Sequence, residues 1–111
     1  MSFLVEFSMF PTDKGESVSP YVSRIIKMID ESGISYRLTP MGTVFETNTM
    51  EEALEIINKA YKQLEPDCNR VYTVIKMDIR KNAQNRIEGK IKSVEEKLGK
   101  EVKKWYWERL L

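Results

Sequence analysis

Over residues 2–10 the side chains alternate, with Phe3, Val5, Phe7 and Met9 on one side and Leu4, Glu6, Ser8 and Phe10 on the other. A period of two predicts a half-buried strand, and Pro11 ends it. A polar stretch over 12–18 leads to Ser19-Pro20, where a capping hydroxyl and a proline at the first helical position predict a helix start. The period then changes: Val22, Ile25, Ile26 and Ile29 recur at three- and four-residue steps, and Gly33 stands where a left-handed C-cap belongs. Strand signals return over 34–38 and 43–47 around the turn Pro40-Met41-Gly42, which predicts a hairpin. Thr49 with Glu52 makes a capping box, and Met50, Ala53, Leu54, Ile57, Ala60, Tyr61 and Leu64 then mark the inner face of a second helix that Pro66 stops. Residues 70–80 form the longest expected strand, with Val71, Thr73, Ile75, Met77 and Ile79 against Tyr72, Val74, Lys76, Asp78 and Arg80. Ile87, Ile91, Val94 and Leu98 before Gly99 predict a third helix. Beyond it lies an apolar tail over 99–111, with Trp105, Tyr106, Trp107, Leu110 and Leu111, expected to dock on its own domain as a last helical turn, with an intermolecular contact as the alternative.

The order β-α-β-β-α-β plus a helix predicts an α+β, ferredoxin-like sandwich: one domain over 1–111 with a four-stranded antiparallel sheet and an extra C-terminal helix. Two helices cover one face of such a sheet. The other face would then hold Leu4, Glu6, Ser8, Phe10, Tyr72, Val74, Lys76 and Asp78, together with Val44 and Glu46. That mixture of large apolar groups with charges is more than a solvated face needs, so a second subunit is expected to cover part of it.

Composition narrows the chemistry. Eighteen basic against seventeen acidic side chains leave a formal charge of +1, so no polyanionic partner is indicated. There is no histidine and one cysteine, Cys68, which excludes an intramolecular disulfide, a Cys/His zinc site and any Ser-His or Cys-His pair within the chain. Cys68 reads as a small apolar core residue. The first ten residues lack a basic region and are interrupted by Glu6 and Ser8, and no apolar run is long enough to span a bilayer; neither a signal peptide nor a membrane partner is expected, and a cytoplasmic location is.

No phosphate-binding loop, nucleophile elbow or calcium loop occurs, and no cofactor or metal is expected. Glu6, Glu46 and Asp78 are candidates for acid–base work if they converge, but with Lys76 beside them an ion-pair network supporting a subunit interface is the favoured reading. An RNA-recognition motif shares the element order. Its basic-Gly-aromatic signature is missing from Thr43-Val44-Phe45-Glu46-Thr47, and two acids on the same face would repel phosphate, so nucleic acid is not an expected partner.

Several runs carry a resemblance: Ser19-Pro20-Tyr21-Val22, Ser32-Gly33-Ile34-Ser35-Tyr36, Pro40-Met41-Gly42-Thr43 with Glu46, Arg70-Val71-Tyr72-Thr73 through Lys76, Asp78 and Arg80, and Lys92-Ser93-Val94-Glu95-Glu96-Lys97. Together they resemble the YkoF-like thiamine-binding protein family, from the first strand to Leu98. The resemblance implies a ferredoxin-like domain that assembles through its open sheet face into a homodimer or homotetramer. It also implies binding, without a chemical step, of a small heterocyclic ligand such as thiamine or hydroxymethylpyrimidine. It favours a pocket around Met41, Gly42, Thr43 and Glu46, with Arg70, Lys76 and Asp78 nearby. Glu46 and Thr43 suit the donors and acceptors of an aminopyrimidine, Phe10 or Tyr72 suits stacking, and Glu6 and Ser8 share the open face. A thiazolium cation would be drawn to carboxylates and aromatic faces. A structural or regulatory assembly domain without a small ligand is the alternative, followed by a carboxylate-dependent enzyme.

Overall fold

The computed structural model describes residues 1–104, so the Trp-rich segment 105–111 and its expected docking lie outside the described residues. The elements are β1 (Ser2–Pro11), α1 (Ser19–Ser32), β2 (Ser35–Thr39), β3 (Gly42–Thr47), α2 (Met50–Leu64), β4 (Val71–Arg80) and α3 (Arg86–Leu98). Four antiparallel strands run in the order β2-β3-β1-β4. This is the ferredoxin-like α+β plan.

Register decides which residues share a face. Val5 pairs with both Phe45 and Met77, whereas Leu4 pairs with Glu46 and Asp78, and Glu6 pairs with Val44 and Lys76. Paired residues point the same way across an antiparallel ladder. The odd-numbered residues of β1 therefore face α1 and α2, and the even-numbered ones form the second face, as their alternation predicts. The core joins Phe3, Val5, Phe7 and Met9 to Phe45, Ile25 and Ile29 of α1, and Ala53, Ile56, Ala60 and Leu64 of α2. Phe7 and Phe45 meet edge to face at 5.7 Å between ring centroids. Cys68 is buried in the same cluster, and that burial pushes its thiol above the usual pKa.

Three local expectations change. Ser19 is the first residue of α1, not its cap: Val18 takes the cap position and no side chain bonds the helix start. In α2, Thr49 does cap, its hydroxyl accepting from Glu52 N–H at 3.1 Å, but the buried stripe includes Ile56, while Leu54 and Tyr61 are exposed. In β4 the side turned toward the helices is half open, with Ile75 40% and Ile79 49% exposed. The helices pack over β1, β2 and β3, so the edge strand projects past them.

Candidate functional site

The third helix divides the sheet's second face. Glu46 accepts from the Arg86 backbone N–H at 2.9 and 3.2 Å through its two oxygens and also accepts from the Ser2 hydroxyl. A carboxylate at a helix N-terminus satisfies an orphan donor and faces the positive end of the helix dipole. Arg86 is itself buried; Nε donates to Ser2 Oγ at 2.9 Å, Nη2 to the Ser2 and Asp78 carbonyls, and Nη1 lies 2.9 Å from the Asp78 carboxylate. Lys90 reaches the same carboxylate at 2.7 Å, and Glu88 pairs with Arg37 of β2 at 2.7 Å. The Lys90 hydrogen bond, then the Arg86 charge, hold Asp78 below the usual carboxylate pKa. Ile87 is buried beneath α3. This end of the face is thus consumed by anchoring a helix.

The opposite end is open, and a strand mismatch makes it so. The pairing of β1 with β3 stops at Phe7 and Thr43, whereas β1 continues paired to β4 as far as Pro11 and Val71. Residues 8–11 consequently have a ladder partner on one side only. The missing strand is replaced by the tight turn between Thr39 and Gly42, which the Thr39 hydroxyl fastens. It accepts from Met41 N–H at 3.2 Å and Gly42 N–H at 3.1 Å and donates to Gly42 C=O at 2.8 Å. Gly42 is required here by a close approach, because a Cβ would sit 2.9 Å from the Phe7 carbonyl oxygen.

Between this turn, the bare edge of β1 and the first turn of α1 lies a cleft of about 290 Å³. Its lining includes Ser8, Phe10, Met41, Gly42 and Thr43, five of the residues singled out from the sequence. Val18, Val22, Ile25 and Leu38 give it an apolar wall. Glu6 borders it, since its Cγ lies 3.8 Å from the position a Gly42 Cβ would take, and its carboxylate pairs with Lys76 at 2.7 Å. Tyr72 joins through its ring, 5.9 Å from that of Phe10. The result is an apolar slot with hydroxyls, an unpaired backbone edge, two aromatic rings and one ion pair at its rim. Such a slot suits a small flat heterocycle.

Three nominated residues fall elsewhere. Glu46 is three residues from Thr43 along β3, about 10 Å at strand rise, and it caps α3. Asp78 is committed to Arg86 and Lys90. Arg70 precedes β4, and its carbonyl accepts from Thr12 N–H at 2.8 Å. Thr39, Val22 and Leu38 were missed; Thr39 directly before the turn, with its capacity to bond the turn's own N–H groups, was the signal available in the sequence.

Comparison with known proteins places these features in a family. Residues 5–95 match the family described as thiamine-binding protein. A UPF0045 protein of Methanocaldococcus jannaschii is 34% identical over 93 residues, covering 84% of this chain and 92% of the relative. One of Mycobacterium bovis is 33% identical over 95 residues, 86% of this chain and 93% of the relative. A crystal structure of a hypothetical protein from M. jannaschii superposes with a TM-score of 0.77 at 34% identity, over 86% of this chain and 97% of that one. A proposed thiamine biosynthesis/salvage protein of Thermotoga maritima shares the fold, with a TM-score of 0.73 at 20% identity over 85% of this chain and 99% of that one. This chain belongs to the thiamine-binding protein family.

Proposed function

We propose that this protein binds thiamine or a thiamine-related pyrimidine in the cleft beside Gly42, without a chemical step, and acts as a cytoplasmic homo-oligomer. The observation that carries the reading is the bare backbone edge of β1 over residues 8–10, set between apolar walls and the hydroxyls of Ser8 and Thr43. An aminopyrimidine presents donors and acceptors along one edge, which an unpaired strand edge can complement as another strand would. The Phe10 and Tyr72 rings and the Glu6 carboxylate at the rim suit a thiazolium cation, whose positive charge is drawn to both. Membership in a family described as thiamine-binding supports the same ligand class. Among the described residues no helix is long and apolar enough to cross a membrane. Self-association is assigned to the part of the open sheet face that α3 leaves bare, around Tyr72 and Val74, both exposed.

The test is a thermal-shift and calorimetric titration of protein refolded from denaturant, to remove any co-purified ligand, with thiamine, its phosphates, hydroxymethylpyrimidine and unrelated heterocycles. A selective rise in Tm with unchanged ligand mass is expected. A flat response to every thiamine-related compound from folded protein would move the function to a ligand-free assembly domain, and turnover of the ligand would make it an enzyme.

A further inference from the structure

The carboxylates on the second sheet face are not held alike. Glu46 accepts from Ser2 and from the Arg86 N–H, and Asp78 is shared by Arg86 and Lys90. Among the described residues the Glu6 carboxylate has one partner, the Lys76 ammonium at 2.7 Å, which stands opposite it on β4; its neighbour on β3 is the apolar Val44. Lys76 is 72% exposed and makes no other ion pair or hydrogen bond among the described residues. Its flexible stem can therefore carry the charge away at little cost. The pair also stands where a ligand's charge matters. None of the side chains lining the cleft beside Gly42 is charged. Glu6 borders that cleft, and with Lys76 and Val44 it also lines a trough of about 350 Å³ on the open sheet face. A ligand reaching from one space into the other passes over Glu6.

On the reading that the cleft holds a thiamine-related ligand, we propose that Lys76 is a specificity-determining residue that acts as an internal counter-ion. A cationic ligand must displace it from Glu6, whereas a neutral one leaves the pair intact. The thiazolium of thiamine gains the carboxylate only by giving up the existing pair, and it meets a like charge beside it. Neutral hydroxymethylpyrimidine bears neither cost. The two affinities are thereby drawn together, and a chain with a neutral residue at position 76 turns toward the cation. The expected size is that of an exposed ion pair, a factor of about two to five.

The test is calorimetric titration of refolded protein with thiamine and, separately, with hydroxymethylpyrimidine. The proteins are wild type, Lys76→Gln, Lys76→Arg, and Lys76→Gln combined with Glu6→Gln. In Lys76→Gln, thiamine is expected to bind about two- to fivefold tighter at low ionic strength, the gain shrinking as salt is added, with hydroxymethylpyrimidine unchanged. Lys76→Arg should keep the wild-type ratio of the two affinities. The double substitution should remove the gain, since no free carboxylate is left to attract the cation. Affinities for both compounds that change together, through fold or assembly, overturn the proposal, as does an unchanged or weaker thiamine affinity in Lys76→Gln. If wild type binds neither compound, the thiamine reading itself falls and this inference with it; binding of both with an unmoved ratio in Lys76→Gln sinks this inference alone.

Discussion

At the scale of single residues, the sharpest constraints fall on Gly42 and Phe45 of β3. Gly42 has an ordinary backbone angle, yet a methyl group there would press on the Phe7 carbonyl at 2.9 Å. Backbone cannot yield as a flexible side chain does, so Gly42→Ala is expected to lose about 1–3 kcal/mol in urea unfolding, as overpacking does, and to weaken thiamine binding because the turn forming the cleft must move. Stability matching wild type with full binding would remove Gly42 from the site. Phe45 is wholly buried against Phe7, so Phe45→Ala is expected to cost about 3–5 kcal/mol. Leu54→Ala, on the exposed side of α2, should stay within about 0.5 kcal/mol. The contrast settles which of two adjacent stripes α2 buries. Sequence periodicity favours Leu54 and Tyr61 beside Ala53, Ile57, Ala60 and Leu64, whereas the folded helix is rotated slightly the other way, burying Ile56 and leaving Leu54 and Tyr61 exposed.

At the scale of elements, α3 shows how far periodicity reaches. Its existence, its stripe and its stop at Gly99 were legible from Ile87, Ile91, Val94 and Leu98. Its seat on the sheet was not, because that depends on Glu46, Ser2 and Asp78, polar residues scattered over three strands that meet only after the sheet has formed. Strand alternation placed Glu46 and Asp78 correctly on the face of Glu6 but carried no information on which end a helix would occupy. Glu46→Ala leaves the Arg86 N–H without its acceptor and is expected to cost about 1–3 kcal/mol. Hydrogen exchange should quicken in α3 while β1 and β3 stay protected; uniform loss across the sheet would contradict a local anchor. Acid acts on the same joint. Folding lowers the Asp78 pKa, so the folded state binds fewer protons, and the stabilisation is complete above the ordinary carboxylate value of about 3.9 and lost as pH falls through the lowered folded value. Asp78→Asn should flatten the acid limb of a stability-against-pH curve measured by urea unfolding, and an unaltered limb would place the acid sensitivity elsewhere.

At the scale of the whole molecule, the sheet is asymmetric. β2, β3 and β1 lie between helices, with α1 and α2 on one side and α3 on the other, while ten-residue β4 is an edge strand exposed along most of both faces. The alternation in residues 70–80 identified its two sides but not how far the helices extend over them, since an edge strand and a covered one can share the same period of two. A long, bare, partly apolar edge favours association, and Lys76 and Asp78 interrupt its open face without removing Tyr72 and Val74. Val74 lies on the face proposed for self-association and pairs across the sheet with Ser8 at the cleft, so a substitution there tests both proposals together. Val74→Lys puts a charge where two copies would meet. Since Val74 is 43% exposed, the folded subunit itself should change by about 0.5 kcal/mol or less. Light scattering is therefore expected to show a smaller particle at unchanged subunit stability, with ligand affinity falling only if the neighbouring copy helps to close the cleft. An unchanged mass would move the interface off this face; a reduced mass with full affinity would make each cleft complete within its own chain.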